Sequence, residues 1–227
     1  MKTTKKTSWG DITIDTKRGT ITLLQRWQYV AWELGSRAPK FNPTPWTEAE
    51  KANFHKIAVS QILAAWTPNV RFKPTGKNPF LKKFANTGFK FEIDIRRVHA
   101  NPHWKVTVRK LPPISKFRSN VDWGAKKLTI TANTQPVTHK RPQRRDQFGH
   151  TIPPVVTQQL TAPHEFGHMM GPTLDEYNRG DGAYPDAKSI MNIGSEIRRR
   201  HFFHLDKVLD EMVFLTDFDV EINKSAL

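Results

Sequence analysis

Between Phe89 and Arg96 the chain places Phe89, Phe91, Ile93 and Ile95 in strict alternation with Lys90, Glu92, Asp94 and Arg96. Side chains of a strand point alternately to opposite faces, so this segment can satisfy both sets only as a strand with one face buried and one in water. That single requirement commits the chain to a sheet with something packed on its apolar side. Trp104 to Val108 and Leu128 to Ala132 read as further strands, and Asp11 to Asp15 with Gly19 to Leu24 reads as a hairpin around a Lys-Arg-Gly turn. Thr47-Glu-Ala-Glu50 has capping-box spacing, and apolar Phe54, Ile57, Ala58, Ile62 and Ala65 continue it at helical intervals, ending before Pro68. Residues 71–88 and 133–154 read as basic loops, the second carrying His139, Lys140, Arg141, Arg144 and Arg145. Ser195 is the expected cap of a last helix containing Ile197, Phe202, Leu205, Val208, Leu209 and Met212. Strands first and helices last make the expected fold class α+β.

The 227 residues suit one domain: an N-terminal hairpin and linker over 1–45, then a helix, sheet and basic loop over 46–154, then 155–227. Seven Trp and fourteen Phe supply a core, so wholesale disorder is excluded. With no Cys the chain has no disulfide, no thiolate metal site and no cysteine nucleophile. No apolar run reaches the ~18 residues of a membrane span. A polar stretch follows the charged start where a signal peptide needs an apolar core, so synthesis in the cytoplasm without a signal peptide is expected. Charge is unevenly spread. Residues 1–150 hold 29 Lys and Arg against nine Asp and Glu, a net of +20, and residues 151–227 hold seven against twelve, a net of −5. Such a basic half suits nucleic acid, an anionic lipid or a cell-wall polymer as well as a plain solvated surface.

The chemistry is concentrated in His164-Glu165-Phe166-Gly167-His168. On a helix, residues four apart lie one turn above each other on one face, so the two imidazoles can converge on one Zn²⁺. Glu165 is one step round, placed to take a proton from a zinc-bound water rather than to ligate. Gly171-Pro172 ends the helix one turn past His168, and Pro163 either kinks a longer helix or occupies the first turn of a short one.

These residues resemble the zincin metallopeptidases, over residues 155–205. His164 to His168 is followed by Met169-Met170-Gly171, by Leu174-Asp175-Glu176-Tyr177, and by Met191 in a turn-like Ile-Met-Asn-Ile-Gly. The resemblance implies a zincin-like domain with a mixed twisted sheet, an active-site helix, a methionine turn under the metal and a C-terminal helix. It departs from the Met-turn pattern at the position expected for a third ligand, which is Leu174, with Asp175 one residue late. Glu196, expected at the start of the last helix, is the first choice for third ligand, by similarity to zincins that take a downstream glutamate. Asp175 is the runner-up, and Glu176, His201 and His204 stay open. His201 is the expected oxyanion donor.

The implied function is zinc-dependent hydrolysis of amide bonds in a protein or peptide, with the substrate extended along an edge strand, for which Leu128 to Ala132 is the candidate. H-E-F-G-H-M-M-G, D-E-Y and S-I-M-N-I-G-S-E-I-R also look similar to metallopeptidase domains of bacterial type VI secretion effectors. That likeness implies a toxin carried by a secretion spike, acting in a target bacterium's periplasm and countered by an immunity or inhibitor protein. The competing readings are a basic zincin acting at nucleic acid, a peptidoglycan amidase, and a module that binds zinc without catalysis.

Overall fold

The computed structural model describes residues 1–35, 43–79, 81–111, 118–145, 149–177, 182 and 184–222. Part of the proline-rich stretch 39–45 and part of the loop 171–188 lie outside the described residues. The chain begins with strands β1 (Lys2–Lys6), β2 (Asp11–Asp15) and β3 (Thr20–Leu34), then helix α1 (Glu48–Trp66). Strands β4 (Val70–Gly76), β5 (Phe89–Arg97), β6 (Trp104–Lys110), β7 (Asn120–Asp122) and β8 (Lys127–Thr131) follow. A ribbon of short strands comes next: β9 (Val137–Arg141), β10 (Arg144–Arg145), β11 (Thr151–Ile152) and β12 (Val155–Gln159). Helix α2 (Thr161–Met169), a 3₁₀ turn (Arg199–Phe202), α3 (Phe203–Met212) and β13 (Thr216–Ile222) complete the order. The fold is α+β with a mixed sheet, and among the described residues no helix is long and apolar enough to cross a membrane.

The sheet runs β13-β4-β5-β3-β6-β8-β7, with β2 joined to β3 and β1 to β2. β3 organises it: its first half pairs in parallel with β5 and its second half in parallel with β6, with a register shift between Tyr29 and Ala31. The alternation at Phe89–Ile95 resolves as expected, with Phe89, Phe91, Ile93 and Ile95 buried. One buried core joins Trp27, Phe72 and Trp104 of the sheet with Trp66 of α1, Phe166 of α2 and Phe202 of the 3₁₀ turn. α1 starts where the capping box places it, Thr47 accepting from the Glu50 amide and Glu50 from the Thr47 amide.

Several expectations need correction. Residues 71–88 contain β4, which pairs with β13 along its length. Its Pro74 lies beyond the two residues that pair with β5, so its missing N–H costs little there. The stretch 133–154 is not simply an exposed basic loop: β9 pairs with β12 from Val137↔Gln159 to Arg141↔Val155, and β10 with β11. β8 is not an edge, because it lies between β6 and β7; on that side of the sheet the edge is the three-residue β7. Ser195 caps nothing, since the last helical segment starts at Arg199 and residues 188–196 close a turn instead.

Two links fix α2 against this frame. Trp66 donates its indole N–H to the Pro163 carbonyl at 2.9 Å, and Gln25 donates from the sheet to the Met169 carbonyl at 3.1 Å, both buried. Pro163 falls in the first turn of α2, where a backbone N–H would have no helical partner.

Asp206 on α3 is the odd carboxyl of the frame, with a buried oxygen that has no hydrogen-bond partner. Burial, then Asp210 and Asp219, push its pKa up to about 7, with Arg199 opposing. An acid raised in the folded state penalises folding when charged. That penalty is present above about pH 7 and disappears as pH falls toward the carboxyl's unfolded value. Asp206→Asn should therefore raise the denaturation midpoint at pH 8 and change it little at pH 4; an equal shift at both pH values would contradict this.

Candidate metal centre

On α2, His164 and His168 fall one turn apart on the face turned toward the segment that follows the helix. Each ring is held by a backbone carbonyl. His164 Nδ1 lies 2.7 Å from the Ile190 oxygen and His168 Nδ1 lies 2.6 Å from the Thr173 oxygen. A carbonyl only accepts, so both Nδ1 atoms carry a proton and each Nε2 is the atom turned to the cluster, donating to a carboxylate when protonated and free to ligate when neutral. Those two atoms meet at Asp175, whose Oδ1 is 3.2 Å from His164 Nε2 and 3.2 Å from His168 Nε2. One ligand atom from each of the three residues lies within 4.8 Å of the others, a spacing that could hold a metal ion. Tyr177 donates its hydroxyl to the other Asp175 oxygen and so fixes which oxygen faces the histidines.

The electrostatics favour a cation. Burial alone would raise Asp175 and lower His164. Instead their mutual hydrogen bond, with those of His168 and Tyr177 on Asp175, holds the Asp175 carboxyl far below its usual range and raises His164. A field that favours a proton on His164 also favours a metal ion in its place. Glu165 lines the same cleft and is 4% exposed. Burial pushes its pKa up, and its Oε2 is buried with no hydrogen-bond partner. An orphaned carboxylate oxygen beside two imidazoles and a carboxylate suits a ligand in the cleft that carries a proton to share. The donor set of two imidazoles and one carboxylate therefore fits a metal ion that keeps a further position open to the cleft.

The residues behind the trio are held by closely packed polar links. Gly167 lets Met191 press directly on α2, for a Cβ there would lie 2.2 Å from the Met191 sulfur. Gly194 allows the turn beneath to close, a Cβ there coming within 2.1 Å of the Lys188 oxygen. Gln159 donates to the Ile190 and Asn192 carbonyls at 2.9 Å each, and Arg141 donates to Asn192 Oδ1 at 2.7 Å. The β9–β12 ribbon thus buttresses the methionine turn.

Glu196, the first-choice third ligand, stands outside the trio. Its backbone bridges Ser189, and its carboxylate pairs with Arg198 at 2.9 Å. His201, the expected oxyanion donor, does not line the cleft. It is 2% exposed, with its Nε2 3.2 Å from Ser189 Oγ and 3.3 Å from Glu176. Glu176 is also buried; Arg200 grips it through two hydrogen bonds at 2.6 and 2.7 Å, and Asp186 joins Arg200 to Arg198. His204 packs between Trp9 and Trp123. Two cleft residues escaped sequence reasoning, Tyr177 and Arg118. The Asp-Glu-Tyr run was visible in the chain, but only the fold shows that its tyrosine turns back onto its aspartate.

No protein-family model, curated protein or solved structure matches the chain. The geometry alone carries the functional argument.

Zn²⁺ affinity, titrated against a competing chelator, should fall most in His164→Ala, His168→Ala and Asp175→Ala. Tyr177→Phe should cost about tenfold, as expected for an outer hydrogen bond. Glu196→Ala should leave it unchanged; loss of zinc in Glu196→Ala with retention in Asp175→Ala would reverse the assignment.

Proposed function

We propose that this chain is a zinc-dependent peptidase with a zincin-like fold, in which His164, His168 and Asp175 hold the metal and Glu165 is the general base. The observation that carries the reading is the convergence of both Nε2 atoms on Asp175 beside a buried, unpartnered Glu165. Two supports are independent of that trio: Met191 packed under α2, and an open cleft of about 740 Å³ bounded by an edge strand.

When bound, zinc supplies Lewis acidity that polarises a carbonyl and makes water acidic enough to attack near neutral pH. The chain's own groups do the rest. The Ile190 and Thr173 carbonyls keep His164 and His168 in the tautomer that leaves Nε2 free, and Tyr177 keeps Asp175 aimed at them. Glu165 is less than a helical turn from both histidines. Its raised pKa suits it to take a proton from the attacking water and deliver it to the departing amine nitrogen. β7 offers unpaired backbone groups to an extended peptide, which would add to the sheet as a further strand. Leu111, Val121, Val137, Leu174 and Ile193 supply apolar cleft walls for its side chains.

Glu165→Gln preserves shape and removes the base. It should retain zinc while peptide hydrolysis falls by about 10²–10⁴-fold. Hydrolysis persisting at wild-type rate in zinc-loaded Glu165→Gln would remove Glu165 from the reaction.

A further inference from the structure

Most charged groups near the metal centre are already engaged. Arg200 holds Glu176 and Asp186, Arg198 holds Asp186 and Glu196, and Arg141 holds Asn192 and the Tyr184 carbonyl. Arg118 is different. It lines the cleft immediately before the edge strand β7, is exposed, and makes no ion pair with a carboxylate among the described residues. Its ring neighbour is Tyr177, with the guanidinium carbon 5.6 Å from the ring centroid. Tyr177 in turn donates to Asp175, so Arg118 stands one side chain away from the metal trio.

The rest of the cleft makes that cation conspicuous. Its carboxylates are Glu165 and Asp175, the second engaged by the histidines and Tyr177. His139, on the facing β9 wall, hydrogen-bonds Gln159, and burial, His164 and Arg118 lower its pKa so that it favours the neutral form. Arg118 is therefore the one permanently cationic side chain among the described residues lining the cleft. A guanidinium presents its N–H donors as a planar fork that matches a carboxylate, which a lysine ammonium does not. A peptide laid along β7 would run past it.

Resting on the peptidase reading, we infer that Arg118 selects peptides carrying an aspartate or glutamate side chain close to the cleaved bond. The pair forms at an exposed cleft mouth, so its effect is modest and acts mainly as discrimination between substrates.

The test is a mixed peptide library digested by zinc-loaded protein and read by mass spectrometry. Matched peptides follow, differing only by Glu, Gln or Lys at the enriched position. The expected result is enrichment of acidic residues at one fixed position, with kcat/KM for the Glu peptide about fivefold above that for Gln. Arg118→Ala should abolish the difference and Arg118→Glu should invert it toward Lys. Lys56→Glu, which makes the same charge change on the exposed face of α1, should leave it intact. Cleavage without acidic preference, or a preference that survives Arg118→Ala, overturns the inference and leaves the peptidase reading standing. Cleavage of no peptide by protein carrying zinc overturns the peptidase reading. Binding then judges Arg118 by itself: fluorescence anisotropy of labelled Glu and Gln peptides on the Glu165→Gln protein should show tighter binding of Glu, lost in Arg118→Ala, and equal affinities overturn it.

Discussion

Asp175 reaches both histidines because its neighbour is pinned. Glu176 is buried, its amide donates to the Met191 carbonyl at 2.8 Å, and Arg200, His201 and Ser189 converge on its carboxylate. Burial would raise its pKa, but those hydrogen bonds outweigh it and hold the carboxyl well below the usual range. A buried charge with partners this complete is expensive to break, since removing one partner strands the other. The segment after α2 is therefore locked to the methionine turn, and with it Asp175 and Tyr177. Arg198 and Arg200 tie three acids, Glu176, Asp186 and Glu196, together beneath the site.

The same turn supplies the other half of the geometry. Ile190 holds the His164 ring, Met191 packs against Gly167, and the ribbon of β9 and β12 braces the turn from outside through Gln159, Thr157 and Arg141. The His164–His168–Asp175 trio, Glu165 and the turn around Met191 are thus held as one unit, tied through α2 to α1 by Trp66 and to the sheet by Gln25. Placing the centre on a helix backed by a sheet is what gives side chains the positional precision that ligation demands.

The legible parts of this arrangement were local. The capping box at Thr47, the alternation from Phe89 and the four-residue spacing of His164 and His168 each depend on neighbours in sequence, and each appears in the structure as read. The third member of the cluster could not be read in that way. Glu196 looked placed for ligation only if a helix began there, and the chain instead spends those residues closing a turn, with Arg198 taking the carboxylate. His201 was drawn away by Ser189 and Glu176, partners distant from it in sequence. β7 is too short, and β9 and β12 too polar, to announce themselves by periodicity; their strands exist because of what they pair with.

The central claim is that two imidazoles and the Asp175 carboxylate bind one zinc ion. X-ray absorption at the zinc edge, on the full chain reconstituted with one equivalent of zinc, tests it most directly. The spectrum should show a shell of nitrogen and oxygen at about 2.0–2.1 Å with two imidazoles and no sulfur, and that defined shell should be lost in Asp175→Ala. A spectrum with three or four imidazoles, or one unchanged in Asp175→Ala, would contradict it.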